Sequence, residues 1–211
     1  MAKAGFCCEC GKNVWLKDDG SCEFGHPVFC ISNTYDQGRV IHLPANYGHI
    51  VFTDRYVRYG YKRIEYKDAT SVSSSAIKAT FDFSKKQSMC NYVLCSASDS
   101  IVIEMTSPIR VETQIARLYA WQSIVSASKV FVEPHIVNHL LDKIFNQKEI
   151  VRIGNYKLSM FGFSEIGLFG KRVKVRWDTN RIPSVARSTP NGPIISDLAR
   201  ECRRACIRLG L

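Results

Sequence analysis

The cysteine spacing at the amino terminus constrains this chain more than any other feature. Cys7-x2-Cys10 and Cys22-x3-His26 fall inside the first 34 residues, with Gly11, Gly20 and Gly25 where tight turns are needed. Val14, Trp15 and Leu16 make a short apolar strand between the two knuckles. A segment this short cannot bury enough apolar area to offset its chain entropy, so it needs a staple. Five of the nine cysteines lie in the first 30 residues (Cys7, Cys8, Cys10, Cys22 and Cys30), and the others are Cys90, Cys95, Cys202 and Cys206. The count is odd, and the first 25 residues carry four cysteines and several charges in place of an apolar export core. A disulfide scaffold and a secretory leader are therefore not expected. The setting expected is cytoplasmic and reducing, where clustered thiols mean metal.

The run Phe6-Cys7-Cys8-Glu9-Cys10-Gly11-Lys12-Asn13-Val14-Trp15, followed by Asp19-Gly20-Ser21-Cys22 and Gly25-His26-Pro27, resembles a bacterial zinc-ribbon header. In that pattern the first knuckle is Cys-x2-Cys-Gly-Lys and the second is Cys-x3-His. The resemblance implies Zn2+ held by Cys7, Cys10, Cys22 and His26, with Cys8 as an alternate first ligand and Cys30 as an alternate to the histidine. The chemistry agrees, because zinc closes a tetrahedron from thiolates and imidazole. Three thiolates and a neutral histidine form a closed structural set with no open position for water.

The chain has 211 residues and a net charge of +10, but residues 1–34 set Lys3, Lys12 and Lys17 against Glu9, Asp18, Asp19 and Glu23. The basicity therefore resides elsewhere. It clusters at Lys171, Arg172, Lys174, Arg176 and Arg181, and again at Arg200, Arg203, Arg204 and Arg208. Such faces suit acidic proteins, nucleic acid or anionic lipid headgroups. No apolar run approaches the roughly 20 residues that cross a bilayer.

Past a turn-rich linker at 35–47, β-branched and aromatic residues predict strands at His49–Asp54, Arg55–Tyr59 and Lys62–Tyr66, with a hairpin at Gly60. More strands are expected near Ala76–Phe83, Asn91–Cys95 and Ile101–Met105, with a loop at Ser84–Ser88. A first helix presents Ile115, Leu118, Gln122 and Val125 on one face, with Arg117 off it. A second begins at Glu133-Pro134 and repeats Ile136, Val137, Leu140, Leu141, Ile144 and Phe145. Strands return at Ile150–Ile153, Tyr156–Phe163, Glu165–Phe169 and Arg172–Trp177. A loop-rich stretch, 178–193, leads to a last helix from about Ser196, the expected N-cap.

Strand text ending in an aromatic occurs twice, at Ile64-Glu65-Tyr66 and at Val175-Arg176-Trp177, and amphipathic helix text follows each. A strand block of this kind closed by one capping helix looks like bacterial pleckstrin-homology-like domains. Proteins carrying two in tandem place a helix resembling Val132–Asn146 between them. The resemblance implies an α+β chain: a zinc ribbon at 1–34, a first barrel-like unit with its helix at 48–130, and a connecting helix with a second such unit at 131–211.

Enzyme signatures are weak. His135 and His139 have metalloprotease spacing, but Ile136 follows the first histidine where a glutamate is needed. Gly167–Arg172 lacks the first glycine and the final hydroxyl of a phosphate loop. No dinucleotide fingerprint, serine elbow or carboxylate pair stands out. The expected function is a non-catalytic zinc-binding adaptor that recognises a protein partner. The alternatives are a nucleic-acid binder and a peripheral protein on anionic membranes.

Overall fold

The computed structural model describes residues 3–7, 12–16, 31–33, 39–43, 47–81, 85–106, 111–166, 172–179 and 181–210. β1 (Lys3–Cys7) and β2 (Lys12–Leu16) form a hairpin that pairs Cys7 with Lys12. A five-stranded meander follows in the order β3 (Ile31–Asn33), β4 (Arg39–His42), β5 (His49–Phe52), β6 (Tyr56–Tyr59) and β7 (Lys62–Glu65). After a 3-10 turn at Tyr66–Asp68, β8 (Ala69–Phe81), β9 (Lys85–Ser96) and β10 (Ser100–Thr106) make a second sheet with β9 in the middle. Helices α1 (Val111–Phe131) and α2 (Glu133–Phe145) come next. A four-stranded meander of β11 (Val151–Ile153), β12 (Tyr156–Ser159), β13 (Gly162–Ile166) and β14 (Arg172–Arg176) precedes α3 (Ile195–Leu209). Every strand pair is antiparallel and the helices pack on the sheets, so the class is α+β.

The strands follow from alternation. In β10, Ile101, Ile103 and Met105 are buried while Val102, Glu104 and Thr106 face out. Gly60, at φ +60, turns β6 into β7. One core of buried side chains runs continuously from Ile41 in β4 to Cys206 in α3.

Several sequence expectations are corrected. The stretch at 35–47 is more than a linker, because β4 lies in it and buries Val40 and Ile41 against the core. Residues 85–88, expected as loop, lengthen β9 by pairing with β8. The strand expected over Tyr156–Phe163 is two strands, which turn at Met160–Phe161 and resume at Gly162. Gly162 has φ +151, and a Cβ there would meet the Val175 carbonyl oxygen at 2.1 Å. Ser196 is inside α3 rather than capping it, and the N-cap residue, Ile194, makes no side-chain cap. The face of α1 turned to the core is Arg117, Ala120, Ile124 and Ala127, whereas Leu118 and Gln122 are exposed. Apolar periodicity misread this helix because small residues and one arginine, not the largest apolar ones, meet β9.

The two aromatics singled out from the sequence do matched work. Tyr66 follows the last strand of the first meander and donates its hydroxyl to the Thr53 carbonyl at 3.0 Å. Trp177 follows β14 and donates its indole N–H to the Ser159 carbonyl at 2.9 Å. Both acceptors end or follow the strand two before the aromatic's own, β5 and β12. The hydroxyl of each acceptor residue bonds onward to a carbonyl three residues later, Thr53 to Tyr56 and Ser159 to Gly162, at 3.0 Å each. The first meander continues into a three-stranded sheet. The described residues after β14 contain no counterpart.

In place of a counterpart, the chain after β14 returns to the first unit. The outer edge of β8 would otherwise leave its backbone unpaired. Asn191 donates its amide N–H to the Val72 carbonyl at 2.8 Å, accepts from the Val72 N–H through Oδ1 at 3.2 Å, and donates Nδ2 to the Thr70 carbonyl at 3.2 Å. Two residues along β8, the Ser74 N–H donates to the Arg187 carbonyl at 2.8 Å. Asn191 holds φ +61, a conformation asparagine tolerates better than most residues. Asn191→Ala is expected to lower stability by about 1–3 kcal/mol, through two lost hydrogen bonds and the left-handed backbone. Asn191→Gly, which removes the same bonds but suits the backbone, should lose less. Urea unfolding checks both, and an alanine variant as stable as the parent would remove this account of the β8 edge.

Candidate functional site

α2 and α3 lie side by side and leave a groove along their seam. At one end lies a hollow of about 260 Å3 bordered by Lys129, Glu133, Val137, Asp197, Arg200 and Arg204. At the other end its wall is more apolar, with Leu141, Phe145, Ala205 and Leu209 beside Arg208 and Asp142. Asn138 borders both ends.

Chain geometry explains why these groups meet. α1 and α2 are separated by one residue, Val132, whose backbone stays in the helical region. Pro134 has no N–H to donate into the preceding turn, so the helix breaks there. The break leaves Lys129 on the last turn of α1 and Glu133 on the first turn of α2. Glu133 is only 3 % exposed, and its Oε2 has no hydrogen-bond partner. Burial pushes this carboxyl up to about 6; the cations of Arg187 and Lys129 oppose the shift and Asp197 adds to it. Beneath it Tyr92 donates its hydroxyl to Ser128 at 3.1 Å, and burial drives that phenol upward. Ser74, paired across the sheet with Tyr92, has a buried hydroxyl that is also unpartnered.

The arginines expected to face out together from α3 divide instead. Arg203 is half-buried and donates Nε to the Trp177 carbonyl at 2.8 Å, which ties α3 to the end of β14. Arg200 and Arg204 border the hollow, and each pairs with the carboxylate three residues before it, Asp197 and Glu201. Arg208 lies at the apolar end. On β14, Lys174 and Arg176 are exposed, with Arg176 at 3.5 Å from Asp178. Arg181 pairs with Glu165 at 2.9 Å. Arg172 opens β14, and Lys171 lies outside the described residues. Of the zinc set, Cys7 ends β1, while Cys8, Cys10, Cys22, His26 and Cys30 lie outside the described residues. Among the described residues, no three His, Cys, Asp or Glu side chains gather closely enough to hold a metal.

The His135 ring stacks on Tyr66 with centroids 5.1 Å apart. Cys202 and Cys206 are packed in the core, and burial pushes the Cys202 thiol up to about 12. Tyr61 is 93 % exposed, and Tyr56 lies under the Arg63 guanidinium at 3.9 Å. Sequence reading missed Glu133 as more than a helix start, because the helix that covers it arrives some sixty residues later in the chain. It also missed Arg117, which is 7 % exposed, with Nε and Nη1 unpartnered and its guanidinium 6.0 Å from the Tyr47 ring.

Comparison with family models, curated proteins and solved structures returned no match to the chain. No helix among the described residues is long and apolar enough to cross a membrane.

The raised Glu133 carboxyl has a stability consequence. Its folded value, about 6, exceeds the ordinary 4.5, so the unfolded chain ionises first as pH rises. The favourable contribution is full below about pH 4.5 and is lost as pH climbs through 6, a swing of about 2 kcal/mol. Glu133→Gln removes it. Urea unfolding should show the variant gaining on the parent by about that amount between pH 4.5 and pH 7.5. A difference that stays flat across this range would show that Glu133 is not buried as a strained acid.

Proposed function

We propose that the chain is a non-catalytic zinc-binding adaptor that recognises a protein partner. Its amino-terminal ribbon is held by Zn2+ on Cys7, Cys10, Cys22 and His26. Its body is built on pleckstrin-homology-like units. The observation that carries the reading is the order of elements from β4 to α1: the last four strands of the five-stranded meander, a three-stranded sheet, then a helix packed on both sheets. The matched Tyr66 and Trp177 latches support descent of the second meander from the same unit. The second unit keeps four strands and a helix, and its missing sheet is replaced by pairing with β8. The ribbon reading is supported by the β1–β2 register, which pairs Cys7 with Lys12.

The apolar end of the groove between α2 and α3 is the partner surface in this proposal, because Leu141, Phe145 and Leu209 stand there beside Arg208 and Asp142. Elemental analysis of purified protein should find about one zinc per chain. Cys22→Ser should lose the zinc, and with it the hydrogen-exchange protection of the β1–β2 hairpin, while α1 to α3 stay protected. Metal-free native protein would overturn the ribbon.

The charge arrangement disfavours nucleic acid as the partner. Arg200 and Arg204 are balanced on their own helix and Arg203 is committed to a carbonyl. Duplex and single-stranded DNA should therefore bind more weakly than about 10 µM at about 50 mM salt. Submicromolar binding with a steep salt slope would transfer the function to nucleic acid. A second reading, attachment to anionic membranes, is favoured by Ile207 and Leu209, both exposed beside Arg208 at the end of α3. Flotation with anionic vesicles decides it, since binding no greater than to neutral vesicles rules it out.

A further inference from the structure

We propose that the hollow between the first turn of α2 and α3 binds a small zwitterion, its ammonium group on the Glu133 carboxylate and its anionic group at Lys129. This holds whether or not the chain is an adaptor, because it rests on the hollow alone. Glu133 is all but fully buried, it borders the hollow, and its Oε2 lacks a hydrogen-bond partner. An unpaired carboxylate in such a position calls for a donor, and a cationic donor satisfies it best.

Among the described residues no cation lies within ion-pair distance of the Glu133 carboxylate. Of the charged groups facing Glu133, Arg187 on the loop before Asn191 and Lys129 on α1 act on it only at longer range, and Asp197 on α3 repels it. Tyr92, from β9 beneath, spends its hydroxyl on Ser128. At about 260 Å3 the hollow far exceeds the roughly 10–15 Å3 that one water needs.

The walls narrow the ligand class. Arg200 and Arg204 are already paired with Asp197 and Glu201, so they do not draw an anion strongly. Lys129 makes no ion pair among the described residues and stands exposed at the rim. Pro134 and Val137 give a short apolar stretch on the same wall. A ligand matched to this order has an ammonium, a few methylenes and a carboxylate or phosphate. A simple anion meets Glu133 and is repelled, and a simple amine forgoes Lys129.

The test is calorimetric titration of the full chain at about pH 7.5 with 4-aminobutanoate, butylammonium and butanoate as probes. The expected Kd for 4-aminobutanoate is on the order of 0.1–1 mM, as befits so few atoms. Butylammonium should bind several-fold more weakly, and butanoate at least about tenfold more weakly. Glu133→Gln should weaken 4-aminobutanoate by at least about tenfold, and Lys129→Ala should reduce it to the level of butylammonium. Far-UV circular dichroism verifies that both variants are folded, and the probe ranking on the parent protein stands even if one is not. Butanoate binding as well as the zwitterion, an effect of Glu133→Gln under about threefold, or no heat with about 10 mM 4-aminobutanoate would each overturn the site.

Discussion

Burial of α2 from several sides is the constraint on which the rest of the molecule rests. Ile136, Val137, Leu140 and Ile144 are all buried, yet no single neighbour covers them. The helix touches β8 and the Tyr66 turn of the first unit, β11 and β12 of the second, and α3. Fully burying an aliphatic side chain of this size contributes about 1.5–3 kcal/mol. Neither unit alone would capture that contribution. The two meanders are therefore joined by a shared wall as well as by the chain, which agrees with the unbroken core from Ile41 to Cys206.

A second dependence follows from the first. With α2 between the units, the loop after β14 reaches the outer edge of β8, where Asn191 and the Arg187 carbonyl answer backbone groups of Thr70, Val72 and Ser74. In this position the loop acts as a one-sided strand. It satisfies the edge that a full second sheet would have supplied to itself, and it leads into the 3-10 turn that starts α3. The same loop carries Arg187 toward Glu133, so edge protection and the electrostatics of the α2–α3 hollow share one segment.

Local pattern made much of this readable in advance. The hairpin at Gly60, the alternation of β10, the wide apolar stripe of α2 and the arginine-rich α3 all follow from spacing that a few residues define. The paired aromatics were readable too, because Tyr66 and Trp177 each close an amphipathic strand. What escaped was whatever depended on residues distant in the chain. β4 is four residues long and carries no period of its own, and pairing with β3 and β5 is what makes Arg39–His42 a strand. The face of α1 was misjudged because β9 selects Ala120 and Ile124, with the Trp121 indole bonding to the Asn91 carbonyl at its border. The division of the α3 arginines was invisible because 3.6-residue periodicity separates inside from outside but cannot tell which outward arginine meets β14. The cysteine pattern was the most legible motif of all and lies mostly outside the described residues.

The hollow at Glu133 shows how a strained acid persists in such a fold. A glutamate on the first turn of a helix is favoured by the helix dipole and needs no special explanation in isolation. It becomes costly only when α3 closes over it, and α3 cannot withdraw, because Leu198 and Cys202 are fully buried in the core and Arg203 is bonded to the Trp177 carbonyl. The packing that stabilises the second unit thus imposes desolvation on Glu133, and the open volume beside it keeps the chain from relieving that cost by collapse. Glutamine would fit the same space without carrying a charge. A carboxylate held there at the expense of stability is better explained by something it binds than by anything it does for the fold.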